Sequence, residues 1–99
     1  MPDQELGSLQ LLRQEIKLFQ ELGEVRSERN DIREARIREW DEHRHELTSN
    51  LEFETLWRKT AAGERDNALQ SREGAIIGEL KKIRVTLEHL HFAGLHDAA

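Results

Sequence analysis

The chain has no cysteine, no tyrosine and one proline, Pro2, among 99 residues. Without cysteine it can form neither a disulfide nor a thiolate metal site. With its only proline at the second position, no ring interrupts a helix further along. Long hydrophobic runs are also missing. No segment approaches the roughly 18 apolar residues of a membrane span. The opening MPDQELGSLQLLRQE has neither the basic end nor the unbroken apolar stretch of a signal peptide. A basic surplus is lacking too: the net charge of −5 argues against a general nucleic-acid binder, because phosphate neutralisation needs excess Lys and Arg. These absences lead to the expectation of a cytoplasmic chain with no membrane segment.

What remains is helix-forming. Charged residues make up 35% of the chain and hydrophobic ones 36%, a balance suited to long helices with one wet face. At this length the fold is a single helical domain, residues 1–99, with a core that is lean or shared with a partner. Leu9, Leu12, Ile16 and Phe19 repeat at intervals of three, four and three, a heptad seam. Leu69, Ile76, Ile83 and Leu90 recur every seven residues, with Leu80 and Leu87 between them. Thr48-Ser49-Asn50 marks a turn near the middle, and Ser49 followed by Glu52 reads as a capping box opening a second helix. The expectation is an all-α antiparallel hairpin of coiled-coil character. Its first arm covers about 4–47, the turn 48–50, the second arm 51–93 and the tail 94–99. A compact three- or four-helix bundle, broken near Asn30 and Gly63, is the alternative.

Folding back about Ser49 and Asn50 makes facing residue numbers add to about 99. Leu9 then meets Leu90, Leu12 meets Leu87, Ile16 meets Ile83 and Phe19 meets Leu80. Further in, Gly23 faces Ile76, while Arg26 with Glu73 and Arg33 with Asp66 place opposite charges in the seam, a device that fixes register. A second stripe on the first arm, Leu11, Leu18, Leu22, Val25 and Ile32, is then left over. So are Ile77, Val85 and Phe92 on the second arm. Helices apolar on two sides belong in bundles. Leu18, Leu22, Val25, Ile32, Trp57, Val85 and Phe92 are therefore the expected partner contacts, in a homodimer or against another protein. Trp40 and Trp57 nearly face each other, and with Leu51, Phe53 and Leu56 they suggest a small satellite core at the turn. Gly74 and Gly78 form G-x-x-x-G, which suggests a close helix approach.

No motif carries chemistry. His43 and His45, like His89 and His91, are two apart and point to different sides of a helix, so neither pair chelates one ion. They read as surface residues. Glu39, Glu42, His43 and Glu46 share a broad face without the matching helix that a bundle di-metal site needs. Arg26, Arg29, Arg33, Arg36 and Arg38 interleave with acidic residues and read as a salt-bridged, solvated face. No catalytic set, metal site or cofactor is expected. In length and central turn the chain resembles secreted Trp-X-Gly hairpins, although Trp57-Arg58-Lys59 lacks their glycine. In general character it is similar to flagellar and type III secretion chaperones. Both likenesses are of architecture alone. The resulting expectation is a non-enzymatic protein–protein interaction module, an adaptor or assembly chaperone. The alternative is a phage-type or nucleic-acid-associated regulator using its arginine face or acidic surface.

Overall fold

The computed structural model describes the backbone of residues 2–47 and 49–98 and the side chains of residues 7–47 and 49–91. The fold is all-α, and the described residues form three helices: α1 (Pro2–His43), α2 (Asn50–Arg58) and α3 (Ala61–Ala98). No strand occurs among the described residues. None of their helices is long and apolar enough to cross a membrane. Thr48, placed in the turn by the sequence, lies outside the described residues.

Helix α1 runs unbroken through Asn30, so the interruption that the alternative bundle places there does not occur. It ends at His43, four residues before the expected limit of the first arm. The capping reading of Ser49 holds: the Glu52 amide donates to the Ser49 hydroxyl at 3.1 Å, and Ser49 is the N-cap of α2. The second arm is two helices. Lys59 closes α2, and the Thr60 hydroxyl then accepts the Gly63 amide at 3.1 Å, capping α3. That hydroxyl also donates to the Trp57 carbonyl at 2.6 Å. The break falls at Lys59 and Thr60, and Gly63 is the residue that lets the two helices meet closely.

The chain divides into two compact units, one of Met1–Gly23 with Gly74–Ala99 and one of Glu24–Glu73. In the first, Leu18, Leu22, Ile76 and Ile83 are buried, Ile76 completely. In the second, Val25, Phe53 and Leu69 are buried. The α3 stripe Leu69, Ile76 and Ile83 thus faces inward as its seven-residue spacing indicates.

On α1 the expectation is reversed. Leu9, Leu12, Ile16 and Phe19, the proposed seam, are all more than two-fifths exposed, whereas Leu18, Leu22 and Val25 are at most 7% exposed. The physical reason is continuity. The stripe Leu11, Leu18, Leu22, Val25 and Ile32 stays apolar along α1. The stripe from Leu9 to Phe19 continues into Gly23, Arg26, Asn30 and Arg33, and would line the interior with guanidinium groups. Gly23 is correspondingly exposed, with open space around its missing side chain. Nothing approaches Gly74 or Gly78 either, so the G-x-x-x-G spacing marks no close helix contact.

Candidate interaction surface

In the first unit, the outer stripe of α1 is the outstanding exposed feature. Leu9 is 53% exposed, Leu12 42%, Ile16 57% and Phe19 54%. They occupy one continuous strip at the spacing with which one helix meets another. Two of these positions directly follow a residue of the inner stripe, Leu12 after Leu11 and Phe19 after Leu18, so two apolar faces sit about 100° apart on one helix. The inner face is satisfied within the chain. The outer one is not. On α3, Val85 is also exposed, at 52%. Beside the stripe, Arg84 donates to both carboxylate oxygens of Glu15 at 3.1 and 3.2 Å.

The partner contacts expected from the sequence are redistributed accordingly. Leu18, Leu22 and Val25 are core residues, with no area to offer a partner. Ile32 and Trp57 are half-buried in the second unit, and Val85 alone is freely exposed. Phe92 lies outside the described side chains.

The second unit is held by a polar ladder. Glu73 accepts from Arg26 at 3.1 Å and from Arg29 at 2.8 Å, and Arg29 also donates to Asp66 at 2.9 Å. Arg65 grips Glu28 through two parallel bonds of 2.9 and 3.0 Å, the strongest geometry available to that pair. As the position on α1 advances from Arg26 to Arg29, its partner recedes from Glu73 to Asp66, so the two helices are antiparallel here. The pairing of Arg26 with Glu73 is as the fold-back predicts. Asp66, however, takes Arg29 and not Arg33. Arg29 sits between two acids one heptad apart, and a slip of either helix by a turn would leave buried-side charges unmatched, so the ladder fixes register. The expected partners along α1 itself are replaced by partners from other helices, including Glu54 of α2 for Arg36, at 2.8 Å.

These bonds set a pH dependence. The Arg29 and Arg26 guanidiniums hold the Glu73 carboxyl below its ordinary 4.5, and hydrogen bonding from Arg65 does the same for Glu28. Groups whose pKa is lowered on folding stabilise the fold above their unfolded pKa and lose that contribution as pH falls through the folded value. The thermal midpoint should therefore stay level from neutrality down to about pH 5 and fall below about 4.5. Glu73→Gln should lower the midpoint at neutral pH and flatten part of the acid slope. A midpoint that rises on acidification would contradict this assignment.

At the turn end of this unit, Phe53 is the hub of the satellite core. Its ring meets Trp40 edge-on at 5.2 Å and stacks on Trp57 at 6.2 Å, with the Arg36 guanidinium 5.9 Å above it. Leu51 and Leu56 stay outside, 72% and 49% exposed. Next to the hub opens a cavity of about 640 Å3, walled by Arg29, Ile32, Arg33 and Arg36 of α1, Trp57 and Arg58 of α2, and Asn67 and Gln70 of α3 among others. His43 is exposed, with its Nε2 3.4 Å from Glu39 and its Nδ1 3.4 Å from Glu46. Glu39, Glu42 and His43 place ligand atoms within 4.8 Å of one another. All three are exposed, and carboxylates gathered around a surface histidine are sufficient to explain the cluster.

No protein-family model, curated protein or solved structure matches the chain.

Two features escape the sequence. The outer stripe carries the strongest heptad signal on α1, which reads as core. Only the longer reach of its neighbour argues otherwise. Arg33, Arg58, Asn67 and Gln70 come from three helices, and no spacing within one helix could announce their meeting.

Proposed function

We propose that the chain is a non-enzymatic helical interaction module acting in the cytoplasm, and that its docking face is the outer stripe of α1. The observation that carries this reading is the half-exposure of Leu9, Leu12, Ile16 and Phe19 at heptad spacing on a helix whose other apolar face is already filled. Covering the exposed half of such side chains is worth about 1 kcal/mol each. A partner helix with the same repeat fits that strip, and a second copy of the chain supplies one. Adaptor or assembly-chaperone activity is the concrete form such a module takes. The arginine face supports a nucleic-acid role less well, because Arg26, Arg29 and Arg36 are tied to carboxylates.

The experiment is sedimentation equilibrium across the micromolar range. The wild-type chain should self-associate. Ile16→Glu should shift it to monomer while leaving helical content unchanged, because residue 16 contributes nothing to the inner core. A wild-type chain that stays monomeric at high micromolar concentration rejects self-association, and association that survives Ile16→Glu rejects the stripe.

A further inference from the structure

The cavity of the second unit has an excess of positive charge that the fold does not use. Four guanidiniums line it, from Arg29, Arg33, Arg36 and Arg58, against the carboxylates of Glu64 and Asp66. Arg29 is neutralised by Asp66 and Glu73. Arg36 is neutralised by Glu54, which lines a neighbouring hollow. Arg33 and Arg58 form no ion pair among the described residues. Arg29, Arg33 and Arg36 also stand at intervals of four and three on one face of α1, and like charges so spaced repel. Cationic groups concentrated in a concave wall raise the local concentration of anions.

The rest of the wall suits a small organic ligand. Asn67 and Gln70 bring amide donors and acceptors from α3, and Trp57 brings an indole held in place by its stack on Phe53. The volume falls in the range of small-molecule sites, which combine apolar or aromatic surface with a few convergent polar groups. Guanidinium is matched to oxyanions because its planar fork can meet two oxygens at once.

We propose that this cavity binds a small organic oxyanion, a phosphate ester or carboxylate, with Arg33 and Arg58 receiving the charged group and Trp57 flanking the organic part. Glu64 on the same wall limits the affinity by repulsion. The site belongs wholly to the second unit and does not depend on the outer stripe of α1 having a partner.

Thermal shift and calorimetric titration of the full chain test it, with phenyl phosphate and benzoate as probes and sodium chloride matched for ionic strength. At least one probe should raise the midpoint saturably, and the two probes separate phosphate from carboxylate as the charged group. Arg33→Gln and Arg58→Gln should each weaken that binding by at least about tenfold. Neither should disturb the unliganded midpoint, because neither residue holds an internal partner. Glu64→Gln should strengthen it. No saturable shift beyond the salt control overturns the proposal, and so does a shift unaffected by the Arg33→Gln, Arg58→Gln double variant. Tighter binding of a 20-base-pair duplex with the same arginine dependence would assign the charge to a nucleic acid and equally overturn it.

Discussion

Ile76→Asp should abolish the cooperative thermal transition, while Ile16→Asp should leave a folded, cooperatively melting helical chain. Ile76 is completely buried and Ile16 is 57% exposed, although both are isoleucines in heptad stripes. Truncating a buried isoleucine alone costs about 2–5 kcal/mol. A carboxylate adds several kcal/mol more when it is buried without a cation, and the other buried residues of that unit, Leu18, Leu22 and Ile83, are all apolar. The sum meets or exceeds the roughly 5–15 kcal/mol by which domains are stable. Residue 16 keeps its charge in water. Circular dichroism melts of the two variants check the assignment of faces on both helices. Loss of folding in Ile16→Asp at concentrations where the chain is monomeric would mean that the outer stripe of α1 is core.

Gly63→Ala should cost at least about 2 kcal/mol, although alanine is the better helix former. A Cβ at residue 63 would run into the Trp57 carbonyl oxygen, and would lie 2.9 Å from its carbon and 3.0 Å from the Arg58 Cα. These are backbone atoms of the last turn of α2, so relief requires moving a helix. The connection that follows carries the Thr60 hydroxyl bonds to Trp57 and Gly63, which would be strained together. Gly74→Ala is the control. It has open space, lies inside α3, and should stabilise by about 0.5–1 kcal/mol. Urea denaturation gives both values, and opposite signs for the same chemical change are the distinguishing result. If Gly63→Ala were neutral, α2 and α3 would not meet as tightly as described.

Much of the architecture is legible in the residues. Helix-favouring composition, the Ser49 cap and the seven-residue repeat of Leu69, Ile76 and Ile83 give an all-α chain that reverses near its middle. The pairing of Arg26 with Glu73 and the aromatic contacts of Trp40, Phe53 and Trp57 follow from that reversal. The inner face of α1 does not. Leu11 and Leu12, like Leu18 and Phe19, are neighbours in sequence, so choosing between their stripes is a rotation of one residue, about 100°. An arginine reaches far enough that Arg26 finds Glu73 under either choice, so that charge match does not arbitrate between faces. The break at Lys59 and Thr60 is only approximated by the alternative's break near Gly63, because its signal is one threonine cap, weaker than a proline or a capping box. The candidate docking face is visible as a pattern, but a heptad of that strength reads as interior. The cavity was not visible at all.

Both tryptophans of the chain, Trp40 and Trp57, belong to the unit Glu24–Glu73. Intrinsic fluorescence therefore watches one half of the molecule and is blind to the loosening of Leu18, Ile76 and Ile83 in the other, whereas ellipticity at 222 nm sums over every helical turn. Superimposable melting curves from the two signals would mean that both units lose structure as one cooperative block. Separated curves would make the emission midpoint a clean reading of the arginine-lined half alone.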